Sequence, residues 1–181
     1  CLSDEWNGAA CVASKLYDCN FINVTSRWFA VYIHGNYSNT VRFINESQLV
    51  DNCKFINCTG TGEYGAALGI SHNNVIIRNS EFINNTGGMG SAIMVGGIDN
   101  DHEGFLGVNT EGNNMTIDNC IFKNNVAKVD GQTSSYTSAT GFNGVPTGNA
   151  GAVYVFGNDT KIYNTVFDNN DASNDGGAVY I

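Results

Sequence analysis

Proline is almost absent from this 181-residue sequence, Pro146 being the only one, and charge is scarce, at 14% Asp, Glu, Lys and Arg. The charge present is lopsided: eight basic residues stand against seventeen acidic ones, for a net charge of −9. So few cations do not make a phosphate-neutralising surface, which excludes nucleic acid as a partner. No apolar run approaches the length of about 18 residues that a membrane-spanning helix needs, so no membrane span is expected in this segment. Helical 3.6-residue periodicity is missing as well. The sequence has no initiator Met and no signal peptide; it opens at Cys1 and closes in Gly177-Ala178-Val179-Tyr180-Ile181, which reads as the middle of a strand. It is therefore expected to be a processed piece or an excised segment of something longer. What is abundant is asparagine (27 residues) and glycine (22), in a chain that is 42% hydrophobic. That hydrophobic content separates it from disordered acidic chains and suffices for one domain with a core.

The chain repeats itself. Val75-Ile-Ile-Arg-Asn79-Ser-Glu-Phe82-Ile-Asn84 is echoed by Thr116-Ile-Asp-Asn119-Cys-Ile-Phe122-Lys-Asn124 and by Lys161-Ile-Tyr-Asn164-Thr-Val-Phe167-Asp-Asn169. Val50-Asp-Asn52-Cys-Lys-Phe55-Ile-Asn57 follows the same rule, and Leu16-Tyr-Asp18-Cys-Asn-Phe21-Ile-Asn23 is the most degenerate copy. A second phrase follows each Phe after 9 to 12 residues in four copies and after 30 in the other. It reads Ala30-Val-Tyr-Ile33, Ala67-Leu-Gly-Ile70, Ala92-Ile-Met-Val95, Ala152-Val-Tyr-Val155 and Ala178-Val-Tyr-Ile181. The shortest full period, Phe55 to Phe82, is 27 residues.

Both phrases alternate with period two and are rich in Val, Ile, Phe and Tyr, the pattern of β-strands. Three short strands per period, with Asn and Gly at the corners, describe an all-β parallel β-helix, a solenoid of about five coils. Asn suits such corners because it tolerates the left-handed conformation and its amide can bond along a stack. Coils spaced by about 4.8 Å bring like residues together as a Phe stack, an Asn ladder and an Ala/Gly column. The solenoid is expected over 16–181, preceded by an N-terminal cap segment, 1–15. Extra residues fall near 34–48, 96–114 and 126–149, all flanking the sheet that carries the second phrase.

Gly151-Ala-Val-Tyr and Gly177-Ala-Val-Tyr, paired with Phe82-Ile-Asn-Asn85, Phe122-Lys-Asn-Asn125 and Phe167-Asp-Asn-Asn170, resemble the polymorphic outer-membrane protein repeats of chlamydial autotransporters. They are also similar to repeats in the adhesin-like surface proteins of methanogenic archaea. The two earliest copies depart from the pattern, with Val24 and Cys58 where the second Asn stands elsewhere. The resemblance covers residues 16–181. It implies a right-handed β-helix at the cell surface, used as an adhesin or as a structural rod.

Candidate sites follow from the coil geometry. Alternation turns Val31 and Ile33 inward, so Tyr32, Gly69, Met94, Tyr154 and Tyr180 face outward from one sheet. An aromatic strip walled by insertions suits a glycan or protein ligand, with Tyr32, Met94, Tyr154 and Tyr180 as its contacts. The alternatives are a strip of ordinary surface tyrosines, or one covered by the insertions. Asp99, Asp101 and Glu103 concentrate carboxylates in the second insertion and make calcium the one candidate cofactor, although the Gly and distant Glu of an EF-hand are missing. Catalysis is not expected: Arg42, Arg78, Lys54 and Lys123 fall at different repeat positions and none makes a triad with acids, and His34, His72 and His102 are scattered.

Six cysteines allow fifteen pairings. Cys19, Cys53, Ser80, Cys120 and Thr165 share one repeat position. Cys19 and Cys53 belong to neighbouring coils, within disulfide range. Cys1 and Cys11 are candidates to close an N-terminal loop, and Cys120, one coil further from Cys53, reads as a buried free thiol. Sequons occur at Asn23, Asn36, Asn45, Asn57, Asn84, Asn114 and Asn158. Asn23, Asn57 and Asn84 share a structural repeat position, so Asn36, Asn45, Asn114 and Asn158, in insertions or corners, are the expected glycan acceptors.

The expected function is that of a secreted, extracellular, adhesin-like segment without catalytic activity, attaching to a protein or glycan on another cell surface or serving as a rigid stalk. The alternative is a filament or sheath subunit binding copies of itself end to end through open coils. A polysaccharide lyase or hydrolase ranks third.

Overall fold

A computed structural model of the chain describes residues 10–12, 15–34, 47–62, 66–71, 73–95, 113–128 and 148–181. These residues form a parallel β-helix of about five coils, as the repeats imply. Each coil contributes a strand to each of four parallel sheets, here A to D. In the third coil, Val75–Arg78 lies in sheet B, Glu81–Ile83 in sheet C, Thr86–Gly87 in sheet D and Ile93–Val95 in sheet A. Sheets B, C and D have five strands and sheet A has six.

Four strands per coil, rather than the expected three, follow from the corners. The B-to-C corner is turned at Asp18, Asn52, Asn79, Asn119 and Asn164, with φ between 46° and 55°. The C-to-D corner is turned at Asn23, Asn57, Asn84, Asn124 and Asn169, with φ between 52° and 57°. Asn74, Asn114 and Asp159 turn the A-to-B corner, and Gly90, Ala150 and Gly176 the D-to-A corner. Every B-to-C and C-to-D bend thus uses one left-handed residue, a conformation that Asn and Asp adopt at low cost. The fourth strand is only two residues long in every coil, too short to display an alternation.

Register is unbroken from coil to coil. Phe21, Phe55, Phe82, Phe122 and Phe167 pair in sequence. Their rings stack with centroids 4.8–5.0 Å apart, in parallel planes from Phe55 onward. Leu16, Val50, Ile77, Ile117 and Ile162 form a second inward column, and Val31, Leu68, Ile93, Val153 and Val179 a third. Together they fill one continuous apolar interior.

The second Asn of the Phe-x-Asn-Asn phrase turns into that interior. Asn85 and Asn125 are fully buried, and each donates its side-chain amide to the Phe carbonyl of the preceding coil, Phe55 and Phe82, at 3.0 and 2.9 Å. Asn125 Oδ1 in turn accepts from the backbone N–H of Asn85 (3.0 Å), and Asn170 Oδ1 from that of Asn125 (3.1 Å). Cys58 occupies this position in the second coil and keeps part of the arrangement, its thiol donating to Phe21 O. The first Asn of the phrase faces out and builds a separate ladder, Asn57 to Asn23, Asn84 to Asn57, Asn124 to Asn84 and Asn169 to Asn124, at 2.8–3.2 Å.

The solenoid extends beyond its expected limits. Ala10–Val12, expected in the cap segment, is the first strand of sheet A, paired with Val31–Ile33. Val126–Ala127, expected within an insertion, is a strand of sheet D.

Candidate functional site

Residues Tyr32, Gly69, Met94, Tyr154 and Tyr180 stand in one column on the outer face of sheet A, as the alternation requires. The column is not an open groove. Tyr32, Met94 and Tyr154 are 5%, 0% and 4% exposed, and only Tyr180, at 37%, reaches the surface. The first three belong to a second apolar cluster outside the solenoid wall, together with Phe29, Met89 and Ala150 and with Trp28 packed against it. Phe29 lies parallel to Tyr32, with ring centroids 5.3 Å apart, and its ring occupies the space that a side chain at Gly69 would fill. Tyr154 stacks on Tyr180 at 5.3 Å. Tyr32, Met94 and Tyr154 are thus packed within this cluster, while Tyr180 is exposed. The partners that sequence reading missed, Phe29 and Met89, precede the second phrase. Their signal was Gly69, a missing side chain in a column of large ones.

The outward faces of sheets B and C carry Arg78, Lys54 and Lys123. Arg78 donates through Nε and Nη2 to Asp51 Oδ2 at 2.9 and 2.7 Å, and Asn79 donates to Asp51 Oδ1 at 2.8 Å. Those hydrogen bonds, with the Arg78 charge, hold the Asp51 carboxyl below its ordinary pKa. Lys54 pairs with Glu81 at 3.0 Å and Lys123 with Asp168 at 2.9 Å. Each of these three cations thus bridges to an acid in an adjacent coil, an arrangement that ties coils together. Arg42 lies outside the described residues.

Asp99, Asp101 and Glu103 also lie outside the described residues, so the calcium candidate has no described geometry. Among the described residues no group of three or more His, Cys, Asp and Glu side chains is placed to hold a metal ion. Of the expected glycan acceptors, Asn114 and Asn158 are exposed on neighbouring coils, and Asn114 donates its side-chain amide to Asn74 Oδ1 at 2.8 Å. Asn36 and Asn45 are outside the described residues. Asn23, Asn57 and Asn84 face outward, with their side chains engaged in the outer ladder.

The expected bond between Cys19 and Cys53 is absent, for both are free thiols, as are Cys58 and Cys120. Their side chains stand side by side in register, and each thiol turns back to its own backbone, Cys19 to Tyr17 O at 3.1 Å and Cys53 to Asp51 O at 3.3 Å. Ser80 and Thr165 make the same bond with hydroxyls, to Arg78 O and Tyr163 O. Burial, foremost, pushes the Cys120 thiol up to about 11 and raises Cys53 and Cys58. Cys1 and the side chain of Cys11 are outside what is described.

The fold and these columns define a repeat protein of the parallel β-helix class. Compared with protein families, with characterised proteins and with solved structures, the chain matches none. Among the described residues no helix is long and apolar enough to cross a membrane.

Proposed function

We propose that this chain is a segment of an extracellular, adhesin-like β-helical protein that serves at the cell surface as a rigid stalk or in attachment. The observation that carries this reading is the uninterrupted coil-to-coil register. It is reinforced by a buried Asn ladder through the last three coils, by an exposed Asn ladder, and by ion pairs that join the second coil to the third and the fourth to the fifth. A solenoid of this kind gains length by adding coils, each held by its neighbours, which suits a spacer that carries a binding surface away from a cell. The resemblance of the Gly-Ala-Val-Tyr and Phe-x-Asn-Asn phrases to surface repeat families points the same way. The exposed sequons Asn114 and Asn158 are compatible with glycans on such a surface.

The test is immunogold electron microscopy of intact source cells with an antibody to this segment, paired with the intact mass of the native protein. Surface labelling on isolated rods, with a mass well above 19.4 kDa, is expected. Labelling only after lysis overturns the reading, and long regular fibres built of this segment replace it with a filament subunit.

A further inference from the structure

Four thiols lie within the described residues, at Cys19, Cys53, Cys58 and Cys120. Among these, a single pair occupies the same position in neighbouring coils. Asn20 pairs with Lys54, and the Lys54 N–H donates to Cys19 O at 2.8 Å, so Cys19 and Cys53 stand opposite each other. One inter-strand spacing, about 4.8 Å, separates their backbones, which lies inside the range that a disulfide spans. Cys120 has no such partner, because its column neighbours are Ser80 and Thr165, whose hydroxyls occupy the equivalent place. Cys58 has Asn85 on one side and Val24 on the other.

The two thiols of the pair differ in access. Cys19 is half-buried, whereas Cys53 is fully enclosed. We propose that Cys19 and Cys53 are a thiol–disulfide exchange pair, in which Cys19 takes up a small-molecule disulfide and Cys53 resolves it, fastening the first coil to the second. In the first step the Cys19 thiolate attacks one sulfur of the small disulfide, forming a mixed disulfide and releasing one small thiol. In the second, the Cys53 thiol leaves its bond to Asp51 O and loses its proton, and the resulting thiolate attacks Cys19 Sγ, releasing the small thiolate that takes up that proton. The protein loses two electrons and two protons, and both are carried away by the two thiols formed. Burial raises the Cys53 pKa, so the second step quickens as pH rises. The loop closed in this way contains the insertion between the first and second coils, and its closure constrains the unfolded chain.

The test uses the chain with Cys1→Ser and Cys11→Ser, which leaves the four interior thiols, folded and incubated with oxidised glutathione. It is expected to lose two thiols and become two hydrogens lighter, with the Cys19 and Cys53 peptides joined and a melting midpoint several degrees higher. Adding Cys53→Ser stops the reaction at glutathione bound to Cys19, and adding Cys19→Ser abolishes it. Serine already stands at this position in the third coil with the same backbone bond, so both variants retain the fold, which circular dichroism checks. Glutathione retained on Cys19 while Cys53 is present, uptake by Cys53 in the Cys19→Ser chain, or no loss of thiols overturns the proposal.

Discussion

Adjacent asparagines in the Phe-x-Asn-Asn phrase have opposite roles. Asn124 faces out in the left-handed region at φ 54°, while Asn125 faces in with no exposed surface. Removing the inner amide leaves Phe82 O and the Asn85 N–H without their partner in the buried interior. At about 1–3 kcal/mol per stranded group, Asn125→Ala is expected to cost about 2–6 kcal/mol in urea unfolding. Asn124→Gly keeps the corner conformation and loses one exposed rung, so its expected cost is under about 1 kcal/mol. The same scale governs pH. The hydrogen bonds from Arg78 and Asn79 lower the Asp51 pKa in the folded state. The stability it contributes is therefore complete above the unfolded carboxyl value, about 4, and is lost as pH falls through the lower folded value. Asp51→Asn is expected to flatten the acid limb of the stability–pH curve below about pH 4, measured by thermal melts at stepped pH.

At the scale of the strand and corner, the sequence was legible where side chains alternate and silent where they are short. Sheets A, B and C follow from their period-two phrases, and the Asn positions foretold two of the corners. Sheet D escaped because Thr59–Gly60 and Thr86–Gly87 are too brief to show a period. The outward direction of Tyr32, Met94 and Tyr154 was also legible, but their burial was not. Alternation states which way a side chain points and says nothing of what lies over it. The Phe29 ring over Gly69 shows the difference. A Cβ built at Gly69 would stand 2.6 Å from that ring, so Gly69→Ala must displace Phe29 from Tyr32. Overpacking of this kind costs about 1–3 kcal/mol. At Gly177 the nearest atom to an added Cβ, Asn170 O, is 3.9 Å away, so Gly177→Ala is expected to stay within about 0.5 kcal/mol of the parent. Parallel denaturation of the two variants separates a glycine required by packing from one that is not.

For the whole molecule, one coil per repeat is the claim from which the rest follows. It places the Phe residues in a stack, sets the Asn residues as rungs and brings Lys54 to Glu81 and Arg78 to Asp51. It also puts Cys19 beside Cys53. The repeat signalled this architecture because each coil needs the same residue types at the same places to meet its neighbours. A binding site has no such redundancy, which is why the candidate ligand strip was the weaker inference. The most direct test is nuclear magnetic resonance of the chain with selectively labelled phenylalanine, reading Overhauser contacts between rings. Phe82 is predicted to contact both Phe55 and Phe122, with ring centroids 4.8 and 4.9 Å away, while Phe55 and Phe122, two coils apart, show no direct contact. A Phe55–Phe122 contact, or a Phe82 ring that meets neither neighbour, would contradict the one-coil-per-repeat register.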